Sequence, residues 1–196
     1  MIVFRVDDNG LTKTIADQLG DYHDKAPTVL KQAINATAKN ARSMLADQAK
    51  KIYVIQKSHF NKAMRIKNAS ASRLEALITA KGAPMELIDF KTSPKKPQTG
   101  EKRAEVTTGK VLVKSNMKRL EMGDLKAFVT KFKSGHVSIV QRRGEERFPL
   151  KKLFSPSVPK MVGNEEEVYE KVKMEIAILM DENIRKYIRK TIEKGR

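Results

Sequence analysis

The side chains that could support acid–base or metal chemistry are few and scattered in this 196-residue chain. The chain has no cysteine, which excludes disulfides, zinc–thiolate sites, iron–sulfur clusters and cysteine nucleophiles. Its three histidines, His23, His59 and His136, lie far apart and form neither an H-x-x-x-H nor an H-E-x-x-H pair. We therefore expect no histidine-based metal centre and no catalytic histidine.

The carboxylates give no better candidate for metal-ion chemistry. The turn Asp7–Gly10 resembles the start of a calcium loop, but the twelfth position counted from Asp7 is Gln18 rather than glutamate. Residues 91–160 hold six acidic side chains, and the adjacent Glu145 and Glu146 are flanked by arginines, which favours a salt-bridged turn over the Mg²⁺ site of a nuclease. Neither G-x-G-x-x-G nor G-x-x-x-x-G-K-[ST] occurs. The sequence therefore predicts no enzymatic activity, no metal and no cofactor.

Positive charge is the strongest chemical signal. The chain has 40 Lys and Arg against 23 Asp and Glu, a net charge of +17, and residues 91–160 alone carry a net +12. Such an excess is relieved by a counter-charge, either nucleic acid or an acidic protein surface. We expect contact through phosphates without sequence preference, because the aromatic pair Phe128 and Phe132 is assigned to core packing. The candidate nucleic-acid-facing residues are Lys95, Lys96, Lys102, Arg103, Arg142 and Arg143.

The elements that position these residues follow from apolar periodicity. Helical spacing predicts a short helix over residues 11–22, a long alanine-rich helix opening at Pro27, and a terminal helix that Asn164 caps. The alanine-rich face fits packing on the protein's own sheet or on a neighbouring subunit, and we expect the former for most of its length. Period-two alternation and turn signals predict strands at 1–6, 74–80, 85–90 and 104–114, a hairpin of 127–133 and 136–141 around Ser134-Gly135, and an unpaired proline-rich connector at 153–159.

These elements predict an α+β fold with N-terminal helices, a central antiparallel sheet of four to five strands that includes the β-hairpin, and a long C-terminal helix. We expect a single domain over residues 1–196. Its parts are an N-terminal strand and helices at 1–57, a basic β-sheet region at 58–160 with a mobile loop at 92–103, and the C-terminal helix at 161–196. No apolar stretch approaches the roughly 20 residues of a membrane span, so we expect no membrane partner.

Four motifs follow one another in order along the chain. They are the alanine-rich helix around 33–38, the basic stretch ending in Arg65-Ile66-Lys67, the segment GAPMELIDF at 82–90, and the hairpin segment at 127–142 followed by Arg147-Phe148-Pro149-Leu150. With the proline-rich connector and the basic terminal helix, this order resembles the prophage minor tail protein Z family of tailed bacteriophages, over nearly the whole chain from about residue 26.

The resemblance implies a structural minor tail protein without catalytic residues. It implies a role in completing the head-proximal end of the tail at the neck, as a homo-oligomeric ring around the DNA path. Implied partners are further copies of the chain, the tail terminator and head-completion proteins, and the phage genome through non-specific contact. The implied location is the virion tail, after synthesis in the host cytoplasm. A non-specific nucleic-acid-binding protein with a basic surface is the main alternative, and a metal-dependent nuclease is the remaining one.

Overall fold

The computed structural model describes residues 2–5, 10–102 and 104–195 of the chain. Within these residues the chain forms two compact units. Unit 1 contains the described residues of Met1–Gln48, Phe60–Lys81 and Val162–Arg196, and unit 2 contains Ala49–His59 and Gly82–Met161. The single domain expected from the sequence stays a prediction.

Unit 1 combines long helices with a three-stranded antiparallel sheet. In the sheet, β3 lies between β1 and β2 and pairs with both. The helix α3 (Lys57–Ala63) leads directly into β2. The elements of unit 1 are β1 (Ile2–Arg5), α1 (Leu11–Leu19), a 3-10 helix (Gly20–Lys25), most of α2 (Ala26–Ile52), β2 (Met64–Lys67), β3 (Glu75–Ala80) and, after the helix α4 (Val158–Val162), the long helix α5 (Glu170–Gly195).

The alanine-rich face of α2 is buried. At 27 residues and about 1.5 Å per residue, this helix is about 40 Å long. Ile34 and Ala38 share one apolar cluster with Ala76 of β3, while Ala33 and Ala41 are also fully buried. The predicted packing of this face against the protein's own sheet is therefore confirmed at Ala38.

The helices α1, α2 and α5 share a second apolar cluster. Ile15 and Leu19 of α1 pack there with Leu30 of α2 and Ile188 of α5. Each of these residues lies on the apolar stripe of its helix. Packing the three stripes against one another removes their apolar surface from water. This cluster holds the C-terminal half of α5 beside the N-terminal half of α2.

The start of the terminal helix is capped as the sequence predicts. The side chain of Asn164 accepts a hydrogen bond from the backbone N–H of Glu167 at 3.3 Å, which satisfies one of the donors left free at a helix start. A π-helical turn, Glu165–Tyr169, precedes α5. Three glutamates in that turn suit the positive end of the helix dipole.

Unit 2 consists of short antiparallel strands in several small sheets. One sheet has the order β11-β10-β9-β8, another β5-β6-β7, and a third pairs β12 with β4. The elements are β4 (Met85–Glu86), a 3-10 turn (Leu87–Asp89), β5 (Lys91–Ser93), a 3-10 turn (Gly100–Lys102), β6 (Thr108–Lys110), β7 (Lys118–Arg119), β8 (Glu121–Met122), β9 (Leu125–Lys131), β10 (Val137–Arg142), β11 (Leu150–Lys152), β12 (Phe154–Ser155) and α4 (Val158–Val162).

The predicted hairpin is confirmed as β9 and β10. Val137 pairs with Lys131 and Ile139 pairs with Val129, across a turn in which Gly135 has φ +84°. Glycine meets the left-handed conformation of that turn without the steric cost of a Cβ. The core of unit 2 is formed here, because Ile139 and Val129 share a buried cluster with Ala127 and Leu87.

The α+β class with flanking long helices is confirmed, and several local expectations differ from the structure. The strand predicted at 85–90 is only β4 followed by a 3-10 turn, and the strand predicted at 104–114 is shortened to β6. The helix predicted over 11–22 ends at Leu19, and the first residues of the loop predicted at 92–103 belong to β5.

One central sheet of four to five strands was expected, but the strands form several small sheets, and most of them are only two to four residues long. The hairpin belongs to the four-stranded sheet. The connector at 153–159 was expected to be unpaired, and this was wrong. Phe154 and Ser155 pair with β4, because Pro156 and Pro159 lie outside the two paired positions.

Candidate functional site

Lys95 of the predicted DNA-facing loop makes a structural contact. Its ammonium donates to the carbonyl oxygens of Phe90, at 2.6 Å, and of Ile88, at 3.1 Å. These bonds fasten the residues after β5 to the 3-10 turn that precedes it. Lys96 and Lys102 are exposed, and Arg103 lies outside the described residues. Lys96 and Lys102 are therefore exposed to solvent, whereas the ammonium of Lys95 is hydrogen-bonded to backbone carbonyl oxygens.

The second predicted group, Arg142 and Arg143, lies at the end of the hairpin sheet. Arg142 is half-buried opposite Leu150 of β11, and its guanidinium donates to the carbonyl oxygen of Glu145 at 3.4 Å. Arg143 is exposed. Arg142 ends β10 in the sheet of β8–β11 and Arg143 follows it, whereas the predicted lysines follow β5 of another sheet. Their role in binding nucleic acid stays a prediction.

A polar cluster at Glu86 joins β4 to the hairpin and to β11. Both carboxylate oxygens of Glu86 contact Nε2 of His136, at 2.9 and 3.0 Å, and the ammonium of Lys152 donates to Oε1 at 3.0 Å. Lys152 also lies 5.3 Å from the ring centroid of Phe132, and that ring stacks on His136. Phe132 is therefore engaged within unit 2, half-buried beside this cluster rather than in the apolar core.

The surroundings of Glu86 favour its ionised form. Burial raises the pKa of Glu86, but the hydroxyl of Ser138, hydrogen bonds from His136 and Lys152, and the charge of Lys152 together outweigh it and lower the pKa to about 2. The hydroxyl of Ser138 favours the carboxylate, although its geometry falls short of a formed hydrogen bond. A carboxylate with these partners does not readily accept a proton. The cluster thus has the character of a structural ion pair and not of a general base.

A polar groove in unit 1 lies between α2 and α5. Its volume is about 890 Å³, and β2 and the residue after it complete its wall. Among the lining residues that the structure describes, five are basic and none is acidic. The basic residues are Lys39 and Arg42 of α2 and Lys186, Lys190 and Lys194 of α5.

Hydrogen bonds hold the floor of the groove. The amide of Asn183 on α5 donates to the hydroxyl of Thr37 on α2 at 3.0 Å, and both side chains are buried. The side chain of Asn35 both donates to and accepts from the backbone of Ala69, at 3.1 and 2.7 Å, which ties α2 to the segment after β2. The buried Asn183–Thr37 bond thus links α5 to α2, while the Asn35–Ala69 bonds fix α2 to the segment after β2.

The walls of the groove carry the cations. Lys186, Lys190 and Lys194 recur every four residues, so they lie on one face of α5 with about 6 Å of helix rise between neighbours. Lys39 and Arg42 are three residues apart on α2. None of the five forms an ion pair with a carboxylate in the described part of the chain. Their charges therefore sum in one place, which gives an anion-binding surface.

Sequence reasoning missed this groove. The candidate cations were taken from residues 91–160, which carry a net +12, whereas residues 161–196 have a net charge of zero. The available signal was the recurrence of the three lysines at every fourth position, which predicts a basic face on the last turns of α5. The pairing of that face with Lys39 and Arg42 depends on tertiary packing and has no local signal.

Two further features bear on the kind of site this is. Among the described residues, no group of three or more His, Asp and Glu side chains is arranged to hold a metal ion. In the same part of the chain, no helix combines the length and the apolar character required to cross a membrane.

The comparisons with known proteins gave one match. The family model described as prophage minor tail protein Z (GPZ) matches residues 9–194. The comparisons with curated proteins and with solved structures found no match.

Proposed function

The chain belongs to the prophage minor tail protein Z family, and we propose that it completes the head-proximal end of a phage tail as a ring around the DNA path. It is a structural protein of the phage tail. The observation that carries the proposal is the family match, because it spans residues 9–194 and thus both compact units. We further propose that the protein catalyses no reaction.

The charge of the chain supports a place beside DNA. A subunit with a net charge of +17 repels its copies, so a ring of such subunits needs a counter-charge along its inner wall. The duplex in the tail supplies one negative charge per about 1.7 Å of its axis. In this proposal the ring contacts the tail terminator and head-completion proteins and lies at the neck of the virion. The predicted cations Lys96, Lys102, Arg103, Arg142 and Arg143 remain candidates for that wall.

Quantitative mass spectrometry of purified virions tests the proposal. The copy number of this chain is measured relative to the major tail-tube protein, whose copies scale with tail length. One ring predicts a small number that stays constant between preparations. Absence of the chain from particles, with the protein left in the lysate, would overturn the proposal.

A non-specific nucleic-acid-binding protein is the second candidate, and the basic groove between α2 and α5 favours it. Its oligomeric state and location separate it from the ring protein. A simple binder is expected to be monomeric when purified and absent from particles, whereas a ring subunit is expected in particles at constant number. Size-exclusion chromatography with light scattering, read together with the virion copy number, distinguishes the two.

A further inference from the structure

We propose that the groove between α2 and α5 is the surface through which this protein holds the phosphate backbone of double-stranded DNA. The inference rests on the proposed function, since it names the surface of the tail protein that faces the DNA path. It assigns this contact to Lys39, Arg42, Lys186, Lys190 and Lys194 of unit 1. The loop and hairpin cations predicted from the sequence remain candidates for further contacts.

The charge of the groove favours a polyanion as its occupant. Its five cations have no carboxylate partner among the described residues, and four of them are exposed. The three lysines of α5 extend over about 12 Å of helix, a length of duplex that carries about seven phosphates. An extended anion can neutralise several of these charges at once, whereas a single carboxylate or phosphate neutralises one or two.

The lining of the groove argues against a small-molecule site. Pockets for small molecules are mostly apolar, with a few polar groups. Here the exposed lining is made of cations and of the amides Gln32, Asn40 and Asn68, while Ile66 and Ala36 are half-buried. Amide N–H groups also donate to phosphate oxygens, and such contacts position a duplex without reading its sequence.

The same lining favours a duplex over single strands and over an acidic protein. Single-strand binding uses exposed aromatic rings on which bases stack. The aromatic side chain of the groove, Tyr187, is half-buried and packs against the apolar cluster of α1, α2 and α5. Protein interfaces bury an apolar centre, whereas protein–DNA interfaces are more polar and more positive, as this groove is.

The test measures binding of the full chain to a fluorescent 20-base-pair duplex of arbitrary sequence between 50 and 200 mM salt. The variant K186Q/K190Q removes two groove cations. The control R185Q/R189Q changes the same net charge at the same spacing on the same helix, at exposed residues that do not line the groove. Each phosphate contact contributes about 0.9 to the slope of log K against log salt, so K186Q/K190Q should lower the slope by about 1.8 and the affinity at 0.1 M salt by about 60-fold. The control should retain most of the salt dependence and most of the affinity.

A second variant, K39Q/K194Q, removes one exposed cation from each wall and should produce the same loss if the whole groove holds the backbone. Circular dichroism of each variant establishes that it is folded.

An equal loss in R185Q/R189Q, or no loss in either groove variant, would overturn the proposal. So would a groove variant that loses binding to poly-glutamate while retaining the duplex, because the occupant would then be an acidic protein. The virion copy number is measured independently, so the groove can fail while the tail assignment stands.

Discussion

Protonation of Glu86 should destabilise unit 2 at acidic pH. The carboxylate is 19% exposed and accepts hydrogen bonds from Lys152 and His136. Together with the hydroxyl of Ser138, these partners lower its pKa to about 2 from an ordinary value of 4.5. The unfolded chain therefore binds a proton near pH 4.5, while the folded chain binds it only near pH 2. Because the unfolded state holds more protons between these values, the stabilisation is fully present above about pH 5.5 and is lost as the pH falls toward 2.

The pKa shift sets the size of the effect. At about 1.4 kcal/mol per pKa unit, the difference corresponds to a ceiling of about 3 kcal/mol. Lys152 is 38% and His136 47% exposed, so solvent screens both partners, and we expect about 1–2 kcal/mol in practice. With a urea slope of about 2 kcal/mol per molar, the unfolding midpoint moves by about 0.5–1 M.

The variant E86Q tests this through urea unfolding followed by circular dichroism at pH 7, 5, 4 and 3. It should lose about 1–2 kcal/mol at pH 7 and then depend less on pH than the wild type, since the glutamine does not titrate. E101Q is the control, because Glu101 is an exposed carboxylate of the same unit. If wild type and E86Q lose stability in parallel between pH 5 and pH 3, the ion-pair account of Glu86 is wrong.

Two further predictions concern local backbone structure. N164A removes the acceptor for the Glu167 N–H and should cost about 1 kcal/mol, or about 2–4 °C in Tm, while N164S should retain most of the stability. G135A should cost about 1–2 kcal/mol in urea unfolding from φ +84° alone, because a Cβ at this turn meets no atom within 4 Å, and G135N should cost less. Equal stability of Ala and Gly at residue 135 would contradict the turn assignment.

The parts of the fold that the sequence predicted are those with local signals. Asn164 precedes three glutamates and a helical stripe, so the start of the terminal helix is visible in a few residues. The hairpin has alternating arms on either side of Ser134-Gly135, and its turn fixes the register. The helix start and the hairpin could both be predicted because the residues that define each of them are close together in the sequence.

The short strands of unit 2 had no such signal. β7 and β8 are two residues long, which is too short for alternation to be read. β12 is also two residues long and pairs with β4, about 70 positions earlier, so its partner is set by the tertiary fold. Gly109 in β6 lies where a Cβ would meet Cγ2 of Thr92 at 3.3 Å. Glycine there allows the close approach of β5 and β6, a reason that only the paired structure gives.

Net charge over a chain segment is a poor guide to a basic surface, and Lys95 and Lys190 show why. Lys95 lies in the segment of net charge +12, yet its ammonium donates hydrogen bonds to the carbonyl oxygens of Ile88 and Phe90. Lys190 lies in a segment of net charge zero, but the acidic residues of that segment concentrate toward its start, and its cations concentrate in the last turns of α5. A helix gathers every fourth residue on one face, and the buried link between Asn183 and Thr37 sets that face beside the cations of α2. The charged surface therefore depends on helix periodicity and on tertiary contacts between α2 and α5, which include the shared apolar cluster and the buried hydrogen bond between residues 146 positions apart. This explains why the groove appears only in the folded chain.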